Sequence, residues 1–205
     1  MKLKEKILYT SVELFNEFGI ANISPNKIAE ELDISVGNLT YHYKKKSDLI
    51  EAILDIMIVK SSDYFQINED PTAYDYEVIR LKFVKLQATF KFFFNDMVFI
   101  TQKYPKVAER FKELTIERFK HSKALIDLFI KNGVLKKEGK GTRYSYLLQN
   151  LWLVTTFWIS QEKTVGRDIE GLNNTSKEIV WSLIYPYLTE KGREQYEMYI
   201  NIEPN

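Results

Sequence analysis

Residues 24–49 read SPNKIAEELDISVGNLTYHYKKKSDL, and this stretch decides how the rest of the chain is read. Ser24-Pro25 is a helix start: the serine hydroxyl can accept from an early helical N–H, and proline lacks the N–H that the first position leaves unused. Ile28, Ala29 and Leu32 then form a narrow apolar face, although Lys27 stands where a complete capping box has Glu or Gln. Asp33-Ile34-Ser35 interrupts the pattern, and Asp tolerates a left-handed turn better than most residues. Ser35 can cap a second short helix opening with Val36-Gly37-Asn38. On that helix Leu39 and Tyr43, four apart, pack inward and turn Val36, Gly37, Asn38, Thr40, Tyr41 and His42 outward. Two short helices joined by a tight turn make a helix-turn-helix, whose second helix enters the DNA major groove.

Upstream, residues 3–18 carry Ile7, Ser11, Leu14, Phe15 and Phe18 on one helical face, with Gly19 as a left-handed C-terminal residue. Downstream, Leu49, Ala52, Ile53, Ile56 and Met57 keep helical spacing to about Tyr64, and a polar link at 66–72 follows. The pattern beyond is helical throughout. It predicts one long helix over 73–102, another from Pro105 to Asn132-Gly133, and a Gly- and Lys-rich connector at 136–141. A segment at 143–163 is apolar nearly all round, so its neighbours have to cover most of it. A polar link at 166–174 leads to helices over 176–187 and 190–200. The expected class is all-α, divided into a helix-turn-helix domain at 1–47 and a larger helical domain at 48–205.

Composition narrows the chemistry. The 205 residues are 45% hydrophobic and 14% aromatic, enough for a core, and contain no cysteine, so disulfides and thiolate metal sites are excluded. The two histidines, His42 and His121, lie far apart, and His121 reads as an exposed helix residue. With no phosphate-binding glycine loop either, little catalytic material remains, and neither an enzyme nor a cofactor is expected. No signal peptide and no membrane-spanning run is visible, so the expected location is the cytoplasm. The net charge of +1 does not indicate nucleic acid, and the first fifty residues hold seven Lys and seven Asp/Glu. Placement says more: Glu13, Glu17, Glu30 and Glu31 precede the second helix of the motif, and Lys44-Lys45-Lys46 follows it directly. Alone, that run would read as a solvated loop.

Ile28-Ala29 and the run from Ile34 to Leu49, preceded by Leu14-Phe15 and Gly19, resemble the signature of the tetracycline-repressor (TetR/AcrR) family over about the first sixty residues. The resemblance implies an all-helical homodimer. Three N-terminal helices would bind double-stranded operator DNA, and a variable C-terminal domain would bind a small effector and dimerise. Position by position, Val36, Gly37 and Asn38 match the groove-facing start of the recognition helix. Asn38 suits a bidentate contact to adenine, Gly37 a close backbone approach and Val36 a thymine methyl. Tyr41, His42 and Lys46 match positions that hold the DNA backbone, and Asn26 is a further phosphate candidate. Thr40, Tyr43 and Asp33 depart from the usual Tyr, Phe and Gly; Thr40 shortens a side chain that often reaches DNA.

The second domain is rich in aromatics, which at helical spacing are more often core than site. Asn95, Gln149, Thr155 and Thr156 are polar residues embedded among them, and an apolar cavity with a few hydrogen-bonding groups is what a small-molecule site looks like. The candidate effector site is Asn95, Phe99, Trp152 and Thr156. The same polar groups could instead bridge a dimer interface, for which the segments 143–163 and 176–187 of each subunit are expected to form a four-helix bundle. In the second of these, Ile179, Val180, Leu183, Ile184 and Tyr187 share an apolar face and Trp181 lies off it. Short recognition helices read few base pairs, so two half-sites favour a dimer. An alternative is a helical protein-interaction module with a vestigial helix-turn-helix.

Overall fold

A computed structural model describes residues 2–64, 66, 68–141, 143–165 and 175–200, and the polar link expected at 166–174 lies outside them. The described chain is helical: α1 (Leu3–Phe18), α2 (Pro25–Glu31), α3 (Val36–His42), α4 (Lys46–Ser61), α5 (Ala73–Thr89), α6 (Lys91–Asn95), α7 (Met97–Lys103), α8 (Pro105–Lys131), α9 (Tyr144–Val165), α10 (Ser176–Ile184) and α11 (Glu190–Tyr199). Among the described residues there is no strand, only an isolated antiparallel bridge between Leu135 and Leu188. None of the helices is long and apolar enough to cross a membrane.

The chain forms two compact units. The first takes residues up to Ser62 together with Leu86–Leu114, and the second takes Asp63–Lys85 and the residues from Thr115 onward. The expected domains, 1–47 and 48–205, are drawn differently, and burial accounts for the difference. On α4, Leu49, Ile50, Ile53, Leu54 and Met57 are all at most 1% exposed, and the helix packs on α1. Burying side chains of this kind contributes about 1.5–3 kcal/mol each.

In the first unit, Ile7, Leu14 and Phe15 of α1 are buried as their spacing predicts, with Ser11 donating to the Ile7 carbonyl at 2.6 Å. Phe18, expected on that face, is 47% exposed because α1 ends there. Gly19 has φ +80° and ψ 146°, an extended positive-φ conformation close to glycine-only territory and not the left-handed helical cap expected. The helix expected over 73–102 is three helices. Phe90, Phe92, Phe93 and Phe94 are each at most 1% exposed, and such a run cannot all face inward from one straight helix. The chain breaks at Phe90 and again at Asp96, and Phe92 and Phe93 reach separate rings, Phe15 at 5.2 Å and Phe111 at 5.3 Å. Asn16 of α1 holds the first break: its amide donates to the Thr89 carbonyl at 2.9 Å and its oxygen accepts from the Phe92 N–H at 2.8 Å.

The second unit has its core in Leu125, Ile126 and Phe129 of α8, Tyr144 and Leu147 of α9, and Val180, Trp181 and Ile184 of α10. Trp181, expected off the apolar face, is 2% exposed, whereas Ile179 and Leu183 are only partly buried. A buried acid explains the inversion, since the Trp181 indole N–H donates to Glu77 at 2.9 Å. Glu77 in turn takes two hydrogen bonds from Arg80, at 2.6 and 2.8 Å, and both charged residues are 8% exposed. Gly192 of α11 lies against the Val134 carbonyl, where a Cβ would collide with that backbone and meet Leu188 at 3.1 Å.

Candidate nucleic-acid interface

The turn between α2 and α3 is built from its own side chains. Ser24 accepts from the Lys27 N–H at 3.3 Å, and Ser35 accepts from the Asn38 N–H at 3.1 Å, so both predicted caps are formed. Asp33, with φ +51°, is the only non-glycine residue at positive φ among those described. Its N–H reaches Glu30 and the next reaches Ala29, which closes α2 and aims the chain into α3.

α3 is held from below and open above. Leu39 is fully buried and Tyr43 is 4% exposed, while Val36 (40%) and Tyr41 (84%) stand out. Gly37 and Asn38 are exposed, and the Asn38 side-chain amide has no partner among the described residues. A Cβ on Gly37 would meet only the Ser35 hydroxyl, at 3.7 Å, so packing does not require glycine here. Thr40 is half-buried, and its hydroxyl donates back to the Val36 and Gly37 carbonyls at 3.0 and 3.1 Å, which leaves it little reach. His42 is half-buried and stacks edgewise on Tyr41 at 5.3 Å. Asn26, in the first turn of α2, is exposed.

Lys46 is half-buried and turned into the fold. Its ammonium donates to the carbonyls of Ile20 and Ile23, in the turn between α1 and α2, and lies 5.4 Å from the Phe15 ring centroid. Burial lowers its pKa, and the nearby Lys103 ammonium lowers it further. Lys44 and Lys45 remain exposed. Burial raises the Tyr43 phenol to about 12, so it stays a donor.

The four candidate effector residues fall in different units. Asn95 and Phe99 belong to the first and Trp152 and Thr156 to the second. The Asn95 side-chain oxygen is buried without a hydrogen-bond partner among the described residues, and Phe99 is 38% exposed with the Lys103 ammonium 5.0 Å from its ring. Trp152 is half-buried between Phe119 and Phe157, and Thr156 is 4% exposed. The second unit also holds Arg118 over the Phe83 ring at 5.4 Å, with burial lowering its guanidinium to about 10. Asn16 and Glu77 escaped the sequence reading. The only signal either gave was a polar residue inside an otherwise good helix.

Comparison with known proteins adds to this geometry. Residues 7–53 match the pattern of bacterial regulatory proteins of the tetR family, and residues 60–196, more than half of the chain, match the TetR pattern described as a bacterial transcriptional repressor. An HTH-type transcriptional regulator of Staphylococcus aureus (strain USA300) is 40% identical over 82 residues, 38% of this chain and 42% of that protein; the chain thus spans less than half the length of the curated relatives it matches. A crystal structure of a regulator from Marinobacter aquaeolei VT8, assigned to the same family, superposes with a TM-score of 0.86 at 30% identity over 100% of both chains. The SmeT–triclosan complex shares the fold at 13% identity and a TM-score of 0.62, over 91% of this chain and 92% of that one.

Proposed function

Because the chain belongs to the TetR family of bacterial transcriptional regulators, we propose that it is a cytoplasmic repressor, released from its operator by a small, largely apolar effector. The carrying observation is the outward face of α3, where Val36, Gly37, Asn38 and Tyr41 stand exposed on a helix whose other side is locked by Leu39 and Tyr43. In this reading Asn38 pairs with adenine, Val36 touches a thymine methyl and Gly37 admits the groove wall. Tyr41, His42 and Asn26 hold the sugar-phosphate backbone, and Thr40 joins them once its hydroxyl leaves the Val36 and Gly37 carbonyls. Lys46 contributes by fixing the turn ahead of α2, where its two carbonyl bonds keep it.

The functional division we propose assigns 1–47 to DNA reading and 48–205 to effector binding and dimerisation. α9 and α10 pack on each other, and Leu148, Leu151, Val154, Ile179 and Leu183 stay incompletely buried in the single chain. In the four-helix dimer interface we propose, a second copy would cover these residues. The effector would act as a population shift, favouring a dimer whose reading heads do not match successive major grooves, with α4 as the lever. An apolar effector is supported by the aromatics around Trp152 and by the bound triclosan of the structurally similar SmeT. The effector contacts we propose are Asn95 and Phe99 in the first unit and Trp152 and Thr156 in the second.

Selection from a random duplex pool, followed by gel-shift titration of the selected sequence, tests the reading. We expect a preferred sequence with two half-sites, and salt-sensitive binding that Asn38→Ala with Tyr41→Ala abolishes. Enrichment of no sequence would sink it.

A further inference from the structure

The reading head is neutral by count, yet a contact spanning 39 positions of sequence brings the start of α1, with Lys2 and Lys4, to the end of α3, which Lys44 and Lys45 follow. Tyr43 makes that contact. Its hydroxyl donates to the Lys4 carbonyl at 3.5 Å, and the Lys4 ammonium lies 5.7 Å from its ring centroid. The start of α1 is thereby set against the end of α3, where Lys44 and Lys45 follow Tyr43 directly. Lys2, Lys4, Lys44 and Lys45 are exposed, and none of them takes part in a salt bridge among the described residues. The carboxylates that follow these lysines most closely in sequence serve as helix caps: Glu5 accepts from the Lys2 N–H at 3.1 Å, and Asp48 accepts from the Lys45 N–H at 3.0 Å.

We infer that Lys2 and Lys4 form a second phosphate-binding edge, continuous with Lys44 and Lys45, that grips the DNA backbone flanking the base pairs under α3. The inference rests on the DNA-reading function proposed above. Lysine suits the task because a flexible ammonium finds a phosphate without reading a base, and each phosphate it neutralises releases condensed counterions. Tyr43 is the positioning residue, since its buried ring sets α1 against α3.

Binding of the full chain to a random-sequence duplex and to the selected one, between about 50 and 200 mM salt, tests this. Each lost phosphate contact should make the slope of log K against log salt shallower by about 0.9, so Lys2→Gln with Lys4→Gln should remove about 2 per reading head. The affinity loss should be equal for both duplexes. Lys4→Arg should keep the slope, and Lys131→Gln, in the second unit, should not change it. Thermal melting confirms that the variants fold; should the double variant melt early, Lys2→Gln alone carries the test with half the change in slope. Wild-type protein that binds neither duplex sinks the DNA-reading function itself. Wild-type binding with an unchanged slope in the folded variants overturns only the second edge, as does a loss confined to the selected duplex.

Discussion

Gly37 sits in a helix where alanine would fit, since only the Ser35 hydroxyl at 3.7 Å comes near its missing Cβ. Glycine inside a helix costs about 0.5–1 kcal/mol relative to alanine, so the fold is better off without it. Gly37→Ala should therefore raise the melting temperature and weaken DNA binding together, whereas a residue kept for stability would lose both. Calorimetry beside gel-shift titration separates the two cases. Tyr43 makes a second residue-scale test, one that depends on pH. Its phenol is pushed from 10.0 to about 12 in the fold, so the folded state holds the proton more tightly than the unfolded chain. That contribution is complete below pH 10 and is lost as the pH rises toward about 12. Tyr43→Phe should flatten part of the alkaline fall in stability, read from melts at pH 9 to 11; an unchanged profile would mean the phenol is solvated.

Between helices, the informative contacts are side chains that close another segment's backbone. Asn16→Leu removes both bonds at the α5–α6 break and strands the Phe92 N–H, which should cost about 1–3 kcal/mol and speed hydrogen exchange at Phe92. Unchanged exchange there would show that the Phe run holds the break alone. The reading of α2 and α3 from sequence succeeded because Ser24 and Ser35 are local, each accepting an N–H three residues on. The break at Phe90 was illegible for the opposite reason: its clasp, Asn16, lies 73 positions before the Thr89 carbonyl it binds, and a run of phenylalanines keeps helical hydrophobicity whether or not it bends. The carbonyl partners of Lys46 are illegible for the same reason, since they belong to a turn 23 and 26 positions back. Trp181 looked peripheral by periodicity because its partner, Glu77, is 104 positions away. The outward face of α3 follows from the local spacing of Leu39 and Tyr43, whereas the proposed effector residues come from both units and no spacing within one segment links them.

At the scale of the whole molecule, the Glu77–Arg80 pair and the proposed dimer make separable demands. Glu77→Ala leaves the Arg80 charge buried without its acid and should cost about 3–5 kcal/mol, while Glu77→Leu with Arg80→Leu should cost far less. Chemical denaturation distinguishes the pair: equal losses would place the energy in packing instead of charge. For the dimer, the melting temperature should rise with protein concentration, and Leu183→Glu, on the partly covered face of α10, should abolish that rise and halve the sedimenting mass. A dimer that survives Leu183→Glu would put the interface elsewhere. Gly192 carries a different consequence, for genetics. Every non-glycine codon there drives a side chain into the Val134 backbone, so a screen for lost regulation should recover position 192 as readily as positions on α3. A map of such hits would then mark a folding lesion as if it were a DNA contact, and the abundance of the variant protein in the cell is what tells them apart.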